Sequence, residues 1–228
     1  MKTPSHWYKE KSLLSLLLHP FSYLWIMLSF LIRTFTRKHV FKIPIVCVGN
    51  VIAGGGGKTP LVIEICKHYR KNRINIHVVY KAYKNKIKNK VIKINNIEDN
   101  NVEDEAILIS KYADTWVCKK RELGIKAAIK SGAELIILDD GLQDTSIEKN
   151  INILVSNQFQ GNGNKKIIPA GPLRETIISA TNKSSCIFFY GRKNKFIKYF
   201  DSYSKDIFFG EVCMDFKKII KIKGKRII

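Results

Sequence analysis

The stretch GNVIAGGGGKTP, residues Gly49–Pro60, decides how the chain folds. It contains four consecutive glycines followed directly by Lys58 and Thr59. The apolar run IPIVCV at 43–48 precedes it and is typical of a buried parallel strand. The run KTPLVIEICKHYRKN follows it, spaces its apolar residues as a helix does, and carries Pro60 where a first helical turn tolerates proline. The predicted order is therefore strand, glycine loop and helix.

This order is the context in which a glycine loop binds phosphate, because glycines let backbone N–H groups point inward and the helix N-terminus adds positive partial charge. Lys58 would reach the outer phosphates of a nucleotide such as ATP, and the Thr59 hydroxyl would ligate Mg²⁺. The strict pattern has a glycine where this chain has Ile52. A flexible hinge is the other interpretation, but a hinge has no need of Lys-Thr in this register. The glycines expected to bind the nucleotide are Gly54, Gly55, Gly56 and Gly57.

Short apolar strands alternate with predicted helices along most of the chain. Strands are predicted in INIHVVY, VIKI, DTWVCKK, AELIILDD, INILVSN and CIFFYGR. Helices are predicted in VEDEAILISKYA and RELGIKAAIKSG. The alternation predicts an α/β fold with a mostly parallel sheet and helices on both of its faces. From Phe208 onward the alternating pattern predicts a β-ribbon instead of a further βα unit.

Two aspartates, Asp139 and Asp140, end the clearest predicted strand, LIILDD. In an open α/β sheet, ligands bind at the carboxyl ends of the strands, where the glycine loop also lies. Phosphoryl transfer needs a carboxylate to hold Mg²⁺ or its water shell, so both residues are predicted on the metal side of the site. The alternative is a cap or turn aspartate before Gly141.

Two further segments carry charges that suit a phosphate site. VEDE at 102–105 places Asp104 and Glu105 at the start of a predicted helix, although the helix dipole favours acids there on any surface helix. GNGNKKIIPAGPLRE at 161–175 is rich in glycine and proline and contains Arg174. A basic residue after a tight turn suits a phosphate clamp, and a plain loop would explain the segment equally.

The chain has 228 residues and a formal net charge of +21, from 40 basic and 19 acidic residues. The lysines are scattered along the sequence, so no nucleic acid partner is expected. A generally basic surface also suits anionic lipid or a phosphorylated substrate. The five cysteines are isolated and form no C-x-x-C pair, which indicates structural thiols in a reducing compartment.

The N-terminal stretch SLLSLLLHPFSYLWIMLSFLIRTF, 12–35, is almost entirely apolar and is interrupted by His19 and Pro20. Its length just suffices for a spanning helix, but basic residues on both flanks assign no orientation. An interfacial anchor fits as well, and a buried helical hairpin is the remaining interpretation. We prefer membrane attachment of some kind, either spanning or interfacial. Aromatic residues that would lie near the headgroups are Trp7, Tyr8, Tyr23 and Trp25.

Together these motifs resemble the tetraacyldisaccharide 4′-kinases, the lipid A 4′-kinases of Gram-negative bacteria. VGNVIAGGGGKTPLV resembles the family's glycine loop, DDGLQ at 139–143 its second signature, and GNGNKKIIPAGPLRE its third. VEDEAIL is similar to its acidic segment, and the resemblance runs from the N-terminus to about Arg192. It implies a P-loop NTPase-like, mostly parallel sheet flanked by helices, with an N-terminal membrane-associated helix and an incomplete second lobe.

The resemblance also implies three parts of the chain. Residues 1–38 form the N-terminal membrane-associated segment, 39–205 the P-loop kinase core, and 206–228 the start of the second lobe as a β-ribbon. Because family members continue well past Ile228, we expect a C-terminally truncated member. In those family members, the part that corresponds to residues beyond Ile228 carries a histidine thought to work with the catalytic base. It also carries a Thr-x-Lys-Asp stretch.

The implied reaction transfers the γ-phosphate of ATP, with Mg²⁺, to the 4′-hydroxyl of a tetraacylated glucosamine disaccharide 1-phosphate. The product is lipid IVA, a precursor in lipid A biosynthesis at the cytoplasmic face of the bacterial inner membrane. The implied partners are this acylated disaccharide lipid and the membrane surface, and no oligomeric state is predicted. The alternative is a truncated, catalytically impaired, membrane-bound nucleotide-binding relative.

The family's functional residues match several positions of this chain. By resemblance, Lys58 and Thr59 hold phosphate and Mg²⁺, and Asp104 matches the candidate general base for the sugar hydroxyl. Arg121 and Arg174 match basic residues that steady the transferring or substrate phosphate. By the same resemblance, Asp139 and Asp140 hold Mg²⁺ or its water shell.

The chain departs from the family pattern at three places. Glu103 stands where the family usually has glycine, and the Ser-Arg-Gly-Tyr-Gly segment corresponds here to YKAYK at 80–84. Asp144 stands where the family has histidine. An added negative charge beside carboxylates and phosphates is expected to weaken nucleotide binding in the absence of Mg²⁺.

Overall fold

The computed structural model describes residues 3–82, 91–94, 102–196, 200 and 206–211. Within these ranges the chain forms one eight-stranded sheet with helices packed on it. The strands are β1 (Ile45–Gly49), β2 (Ile76–Lys81), β3 (Val91–Lys93), β4 (Asp114–Cys118), β5 (Leu135–Asp139), β6 (Ile151–Asn157), β7 (Cys186–Tyr190) and β8 (Asp206–Gly210). The α-helices are α1 (Leu13–Phe35), α2 (Lys58–Lys71), α3 (Asp104–Ser110), α4 (Arg121–Lys130), α5 (Ile177–Lys183) and α6 (Lys193–Phe196), and a 3-10 turn covers Ser5–Tyr8.

The strand order is β3-β4-β2-β5-β1-β6-β7-β8, and each neighbouring pair is parallel except the edge strand β3, which runs antiparallel to β4. The strand that leads into the glycine loop, β1, lies between β5 and β6. Val48 of β1 is in register with Asp139 of β5. The glycine loop and the DDGLQ turn therefore leave the sheet side by side at its carboxyl edge.

Helices cover both faces of the sheet, as the alternation of the sequence predicted. Ile45 and Cys47 of β1 pack into a core with residues of α4 and α5. Val46 and Val48, the alternate residues, pack into a second core with residues of α2 and α3. Because both faces are buried, the central strands are apolar throughout, which is typical of a parallel sheet.

The N-terminal apolar stretch is one continuous helix, α1, with Pro20 inside it. The hairpin interpretation is therefore wrong, and Pro20 does not divide the helix. A proline removes one backbone hydrogen bond, but side chains hold the turns on either side of it. Ser15 Oγ donates to the carbonyl of Ala170 and Ser22 Oγ donates to the carbonyl of Ile167, both at 2.7 Å. By length and composition α1 is also able to cross a membrane.

The strand β8 differs from the predicted ribbon, because it pairs in parallel with β7 as the outer strand of the main sheet. Phe209 lies edge-on to the buried Phe189 with ring centroids 6.2 Å apart, and Ile207 packs against the core. This packing, which an alternating pattern does not reveal, places 206–210 in the sheet. The rest of the predicted ribbon, 212–228, lies outside the described residues, as does Cys213.

Candidate functional site

The glycine loop closes around the buried side chain of Asn50. Its Nδ2 donates to the carbonyl of Gly54 at 3.2 Å, and its Oδ1 accepts from Lys58 Nζ at 3.4 Å. A Cβ at Gly56 would lie 2.1 Å from Asn50 Nδ2, so a side chain there would displace Asn50. Gly57 has φ 83° and precedes the first residue of α2. The loop therefore presents the Lys58 ammonium at the head of a helix, as a phosphate-binding loop does.

Three motifs that are far apart in the sequence meet at the carboxylate of Asp140. Lys58 Nζ lies 3.6 Å from Asp140 Oδ1, and Arg174 NH1 lies 2.8 Å from the same oxygen. Arg174 NH1 also donates to Gln143 Oε1 at 3.3 Å. Burial alone would raise the pKa of Asp140, but Lys58 and Arg174 outweigh it and hold this pKa below its ordinary value. Asp140 is therefore an ionised carboxylate between two cations.

The neighbouring carboxylate, Asp139, is almost fully buried at the end of β5. Neither of its oxygens has a hydrogen-bond partner among the described residues. Burial raises the pKa of Asp139 to about 7, Lys58 opposes this rise, and Asp140 and Glu105 add to it. A buried carboxylate that lacks a partner is costly unless another group satisfies it.

The donor set suits a Mg²⁺ ion that arrives with a nucleotide. In the part of the chain described, no group of three or more His, Cys, Asp or Glu side chains is placed to hold a metal by itself. Mg²⁺ is commonly held by one or two carboxylates together with substrate phosphates. The unpartnered Asp139 and the hydroxyl of Thr59, the second residue of α2, fit that requirement.

The side chain of Arg121, the first residue of α4, binds protein groups next to the site. Its NH1 lies 2.7 Å from Asp144 Oδ2, and its NH2 donates to the carbonyls of Asp139 and Asp140, both at 2.9 Å. Only 1% of its side chain is exposed. The terminal nitrogens of Arg121 thus bind the DDGLQ turn, whereas Arg174 contacts the carboxylate of Asp140.

The ion pair also changes the expectation for Asp144. Burial alone would raise its pKa, but Arg121 and the hydrogen bonds from Ser146 lower this pKa to about 2. The added negative charge is therefore balanced within the protein by a buried guanidinium. That Asp144 weakens nucleotide binding in the absence of Mg²⁺ stays a prediction.

A cavity of about 590 Å³ lies between α1 and the site. Trp25 and Arg33 of α1 line one side of it, and Asp140 and Arg174 line the other. Trp25 Nε1 donates to the carbonyl of Arg174 at 3.1 Å, and Arg33 NH1 lies 3.4 Å from a carboxylate oxygen of Glu175. The helix α1, which exposes many large apolar side chains, therefore also forms a wall of the cavity that Asp140 lines.

A second cavity of about 460 Å³ lies beside the glycine loop. It is lined by Tyr8, Gly55, Gly57, Asn157, Phe159, Gln160 and Tyr190. Aromatic rings beside a phosphate loop provide surfaces on which the base of a nucleotide can stack.

Asp104, the candidate base, is the exposed first residue of α3. Since α3 leads into the parallel strand β4, its N-terminus lies at the carboxyl edge of the sheet, with the other candidate residues. Asp104 has no hydrogen bond or ion pair with another described residue. Its neighbour Glu105 accepts a hydrogen bond from Tyr80 at 3.4 Å. The structure thus places Asp104 on the same edge but not in contact with Lys58.

Three bridging residues were missed in the sequence, although all lie in or beside its motifs. Asn50 follows β1 directly and organises the loop. Gln143 donates to the carbonyl of Asn50 at 2.8 Å and to Glu175 Oε1 at 3.2 Å. Glu175, which follows Arg174, is buried and also accepts from Ser179 Oγ at 2.7 Å. The available signal was that all three are polar residues within the quoted motifs: Asn50 in GNVIAGGGGKTP, Gln143 in DDGLQ and Glu175 in GNGNKKIIPAGPLRE.

Comparison with known proteins gives one consistent family. A family model described as "Tetraacyldisaccharide-1-P 4'-kinase" matches residues 14–217. A tetraacyldisaccharide 4′-kinase of Jannaschia sp. is 33% identical over 193 residues, which are 84% of this chain and 58% of the relative. One of Rhodospirillum centenum is 31% identical over 201 residues, which are 86% of this chain and 59% of the relative. The chain therefore spans slightly less than three fifths of the length of these relatives.

A solved structure shares the fold. It is described as an "apo" form LpxK from Aquifex aeolicus in complex with ATP, and it is 21% identical in sequence. The TM-score is 0.69, and the match covers 94% of this chain and 80% of the other. This likeness confirms the predicted P-loop NTPase-like architecture.

Proposed function

The chain belongs to the tetraacyldisaccharide-1-P 4′-kinase family, and on that premise we propose that it transfers the γ-phosphate of ATP to a lipid. The proposed acceptor is the 4′-hydroxyl of a tetraacylated glucosamine disaccharide 1-phosphate, and the product is lipid IVA. One observation carries the proposal. Lys58 and Arg174 converge on Asp140 beside a cavity whose opposite wall is the apolar helix α1.

The glycine loop supplies the nucleotide site. The backbone N–H groups of the loop and the Lys58 ammonium bind the phosphates of ATP, and the second cavity, with Tyr190 at its edge, receives the nucleoside. Asp139, Asp140 and the Thr59 hydroxyl hold Mg²⁺, which when bound neutralises charge on the phosphates. The charge of Lys58 and the buried position of Asp139 make this edge of the sheet suited to that task.

Two residues of the chain are assigned to the transfer itself. Asp104, whose carboxylate is exposed and has no partner among the described residues, accepts the proton of the sugar hydroxyl. Arg174, which already contacts Asp140 at 2.8 Å, steadies the charge on the transferring phosphate. That Arg121 also contacts a phosphate stays a prediction, because its contacts run to the protein itself.

The helix α1 suits a lipid acceptor. Large apolar side chains along it are exposed, among them Leu17, Phe21 and Leu24. Ser15 and Ser22, on its other side, are buried against the loop at 161–175. A helix held along one side by the protein and apolar on the other fits an interfacial anchor. We therefore propose that α1 attaches the protein to the cytoplasmic face of the inner membrane and brings the acyl chains to the cavity.

The test is transfer of labelled γ-phosphate from Mg·ATP to tetraacyldisaccharide 1-phosphate in detergent micelles. Lys58→Ala removes the ammonium beside Asp140, while Lys67→Ala removes an exposed ammonium of the same helix that pairs with Glu64. Label is expected in the lipid with the wild type and with Lys67→Ala. The Lys58→Ala variant is expected to lose at least about a hundredfold in rate.

The same experiment separates the proposed kinase from a nucleotide-binding relative without catalysis. Folded wild-type protein that binds Mg·ATP and leaves the lipid unlabelled would support the relative. Equal labelling by the wild type and Lys58→Ala would contradict the role given to the glycine loop.

A further inference from the structure

The turn that carries Asp140 has an unusual backbone. Asp140 has φ 53°, in the left-handed region that non-glycine residues seldom adopt. Its N–H donates to the carbonyl of Val48 at 2.9 Å, which ties the turn to β1. Such a conformation persists only where the surrounding contacts enforce it. The direction of the Asp140 carboxylate therefore depends on whatever holds this turn.

The guanidinium of Arg121 binds the backbone of this turn. Its NH2 donates to the carbonyls of Asp139 and Asp140, which belong to the two peptides that flank the Cα of Asp140. The relative direction of these carbonyls is set by the φ and ψ of Asp140. A single planar donor group that binds two successive carbonyls fixes their relative direction. Arg121 therefore stabilises the left-handed conformation of Asp140.

The position of Arg121 depends in turn on Asp144. The Asp144 carboxylate binds NH1 of Arg121 at 2.7 Å and is itself oriented by the N–H of Ser146 at 3.0 Å. Lys149 Nζ completes the turn by donating to the carbonyl of Gly141 at 2.8 Å and to the carbonyl of Asp144. Without the Asp144 carboxylate the buried guanidinium would lose its ion pair at NH1, which is the contact that fixes its position relative to the turn.

We propose that Asp144 is a positioning residue, which acts through Arg121 to keep the Asp140 carboxylate between Lys58 and Arg174. Asp144 contacts no ligand in this scheme. Its effect on the Asp140 carboxylate passes through the side chain of Arg121 and the carbonyls of Asp139 and Asp140. The inference rests on the proposed function, because its consequence is measured as the affinity for Mg·ATP.

The experiment is a double-mutant cycle on the full chain, with wild type, Asp144→Asn, Arg121→Met and the double variant. The dissociation constant of Mg·ATP and the Mg²⁺ concentration for half-maximal transfer are measured for each. Asp144→Asn is expected to raise both by about tenfold, as loss of an outer partner of a metal site does. In the Arg121→Met background the same change is expected to have no further effect.

Two further variants keep the inference open to refutation if Asp144→Asn folds poorly. Glu148→Gln removes an exposed carboxylate from the same segment and is expected to leave both constants unchanged. Arg121→Lys keeps the charge but offers one nitrogen in place of two, since NH1 binds Asp144 and NH2 binds the carbonyls, so it is expected to weaken Mg·ATP binding as Asp144→Asn does. The KM for the lipid acceptor separates positioning from general damage. General damage to the fold raises this KM as much as the dissociation constant of Mg·ATP, whereas a positioning effect on Asp140 raises only the latter.

The outcomes are distinct. Independent, multiplying effects of Asp144→Asn and Arg121→Met, or an Asp144→Asn variant with wild-type affinity, would overturn the inference alone. A folded wild type that binds no Mg·ATP would overturn the proposed function, and the inference with it.

Discussion

The Lys58 ammonium lies 3.6 Å from the carboxylate of Asp140, although the two residues belong to different motifs. The contact exists because β1 and β5 are neighbours in the parallel sheet, so the loops that follow them share one edge. Arg174 reaches the same carboxylate from the third motif. A single carboxylate thus joins the three motifs, and changes at any of them are expected to affect phosphate chemistry.

We predict that Asp104→Asn lowers kcat by about 10²–10⁴-fold, the contribution typical of a general base. The dissociation constant of Mg·ATP is expected to stay unchanged, because Asp104 has no contact with Lys58 or Asp140. Single-turnover transfer to the lipid and nucleotide titration measure the two quantities separately.

The matched control is Asp114→Asn. Asp114 is an aspartate at the amino end of β4, where it pairs with Lys93 at 2.6 Å. It lies at the opposite edge of the sheet and is expected to be silent in transfer. An equal fall in kcat for both variants would remove Asp104 from the mechanism.

We predict that Gly56→Ala destabilises the free protein, because its Cβ would lie 2.1 Å from Asn50 Nδ2. Forcing a side chain into such a contact costs about 1–3 kcal/mol, which lowers the Tm by several degrees in a chain of this size. A Cβ at Gly55 meets nothing within 4 Å, so Gly55→Ala is the control for the loop. Thermal unfolding without nucleotide compares them, and equal Tm values would show that Asn50 does not organise the loop.

The buried carboxyl of Asp139 predicts a pH dependence of stability. Its pKa rises from 3.8 to about 7 through burial, against the opposing charge of Lys58. The groups that act on it are Lys58, Asp140, Glu105 and Arg121. Between these pH values the folded protein keeps a proton that the unfolded chain has released, so the free energy of unfolding falls as pH rises. The fall is complete above pH 7 and amounts to at most on the order of 4 kcal/mol.

The measurement is chemical unfolding of the wild type and Asp139→Asn from pH 4 to pH 8 in EDTA. The variant cannot ionise at this position, so its stability relative to the wild type is expected to increase with pH. A difference that stays constant across this range would show that Asp139 ionises normally.

We predict that Phe21→Glu weakens binding to vesicles that contain phosphatidylglycerol by at least about tenfold, because it removes a phenyl ring from the lipid and adds a negative charge. Phe21 is 58% exposed on α1. Ile178→Glu is the control, because Ile178 is 73% exposed on α5 and lies on another element. Vesicle flotation measures both, and equal losses would show that α1 is not the membrane-facing element.

The elements of the core could be predicted from the sequence because their signals are local. An apolar run before the glycine loop and another before Asp139 are enough to identify β1 and β5, and the rule for parallel sheets puts their ends together. The meeting of Lys58 with Asp140 follows from these local patterns. It needs no knowledge of side-chain packing.

Features that depend on tertiary contacts could not be predicted in the same way. The continuity of α1 through Pro20 depends on serines that reach a loop far along the chain. The pairing of β8 with β7 depends on an aromatic contact between Phe209 and Phe189. The pairing of Asp144 with Arg121 was missed because a charge has no periodicity that identifies its partner.

The fastening of α1 has a practical consequence for attempts to obtain a more soluble protein. Deleting the helix would remove the side-chain donors of the carbonyls of Ile167 and Arg174 and one of the two donors of the carbonyl of Ala170. The side of the loop at 161–175 that α1 covers would be exposed to water, and the backbone of the Arg174 segment would be free to shift. Solubility is therefore better sought by replacing the outward apolar side chains of α1 than by shortening the chain.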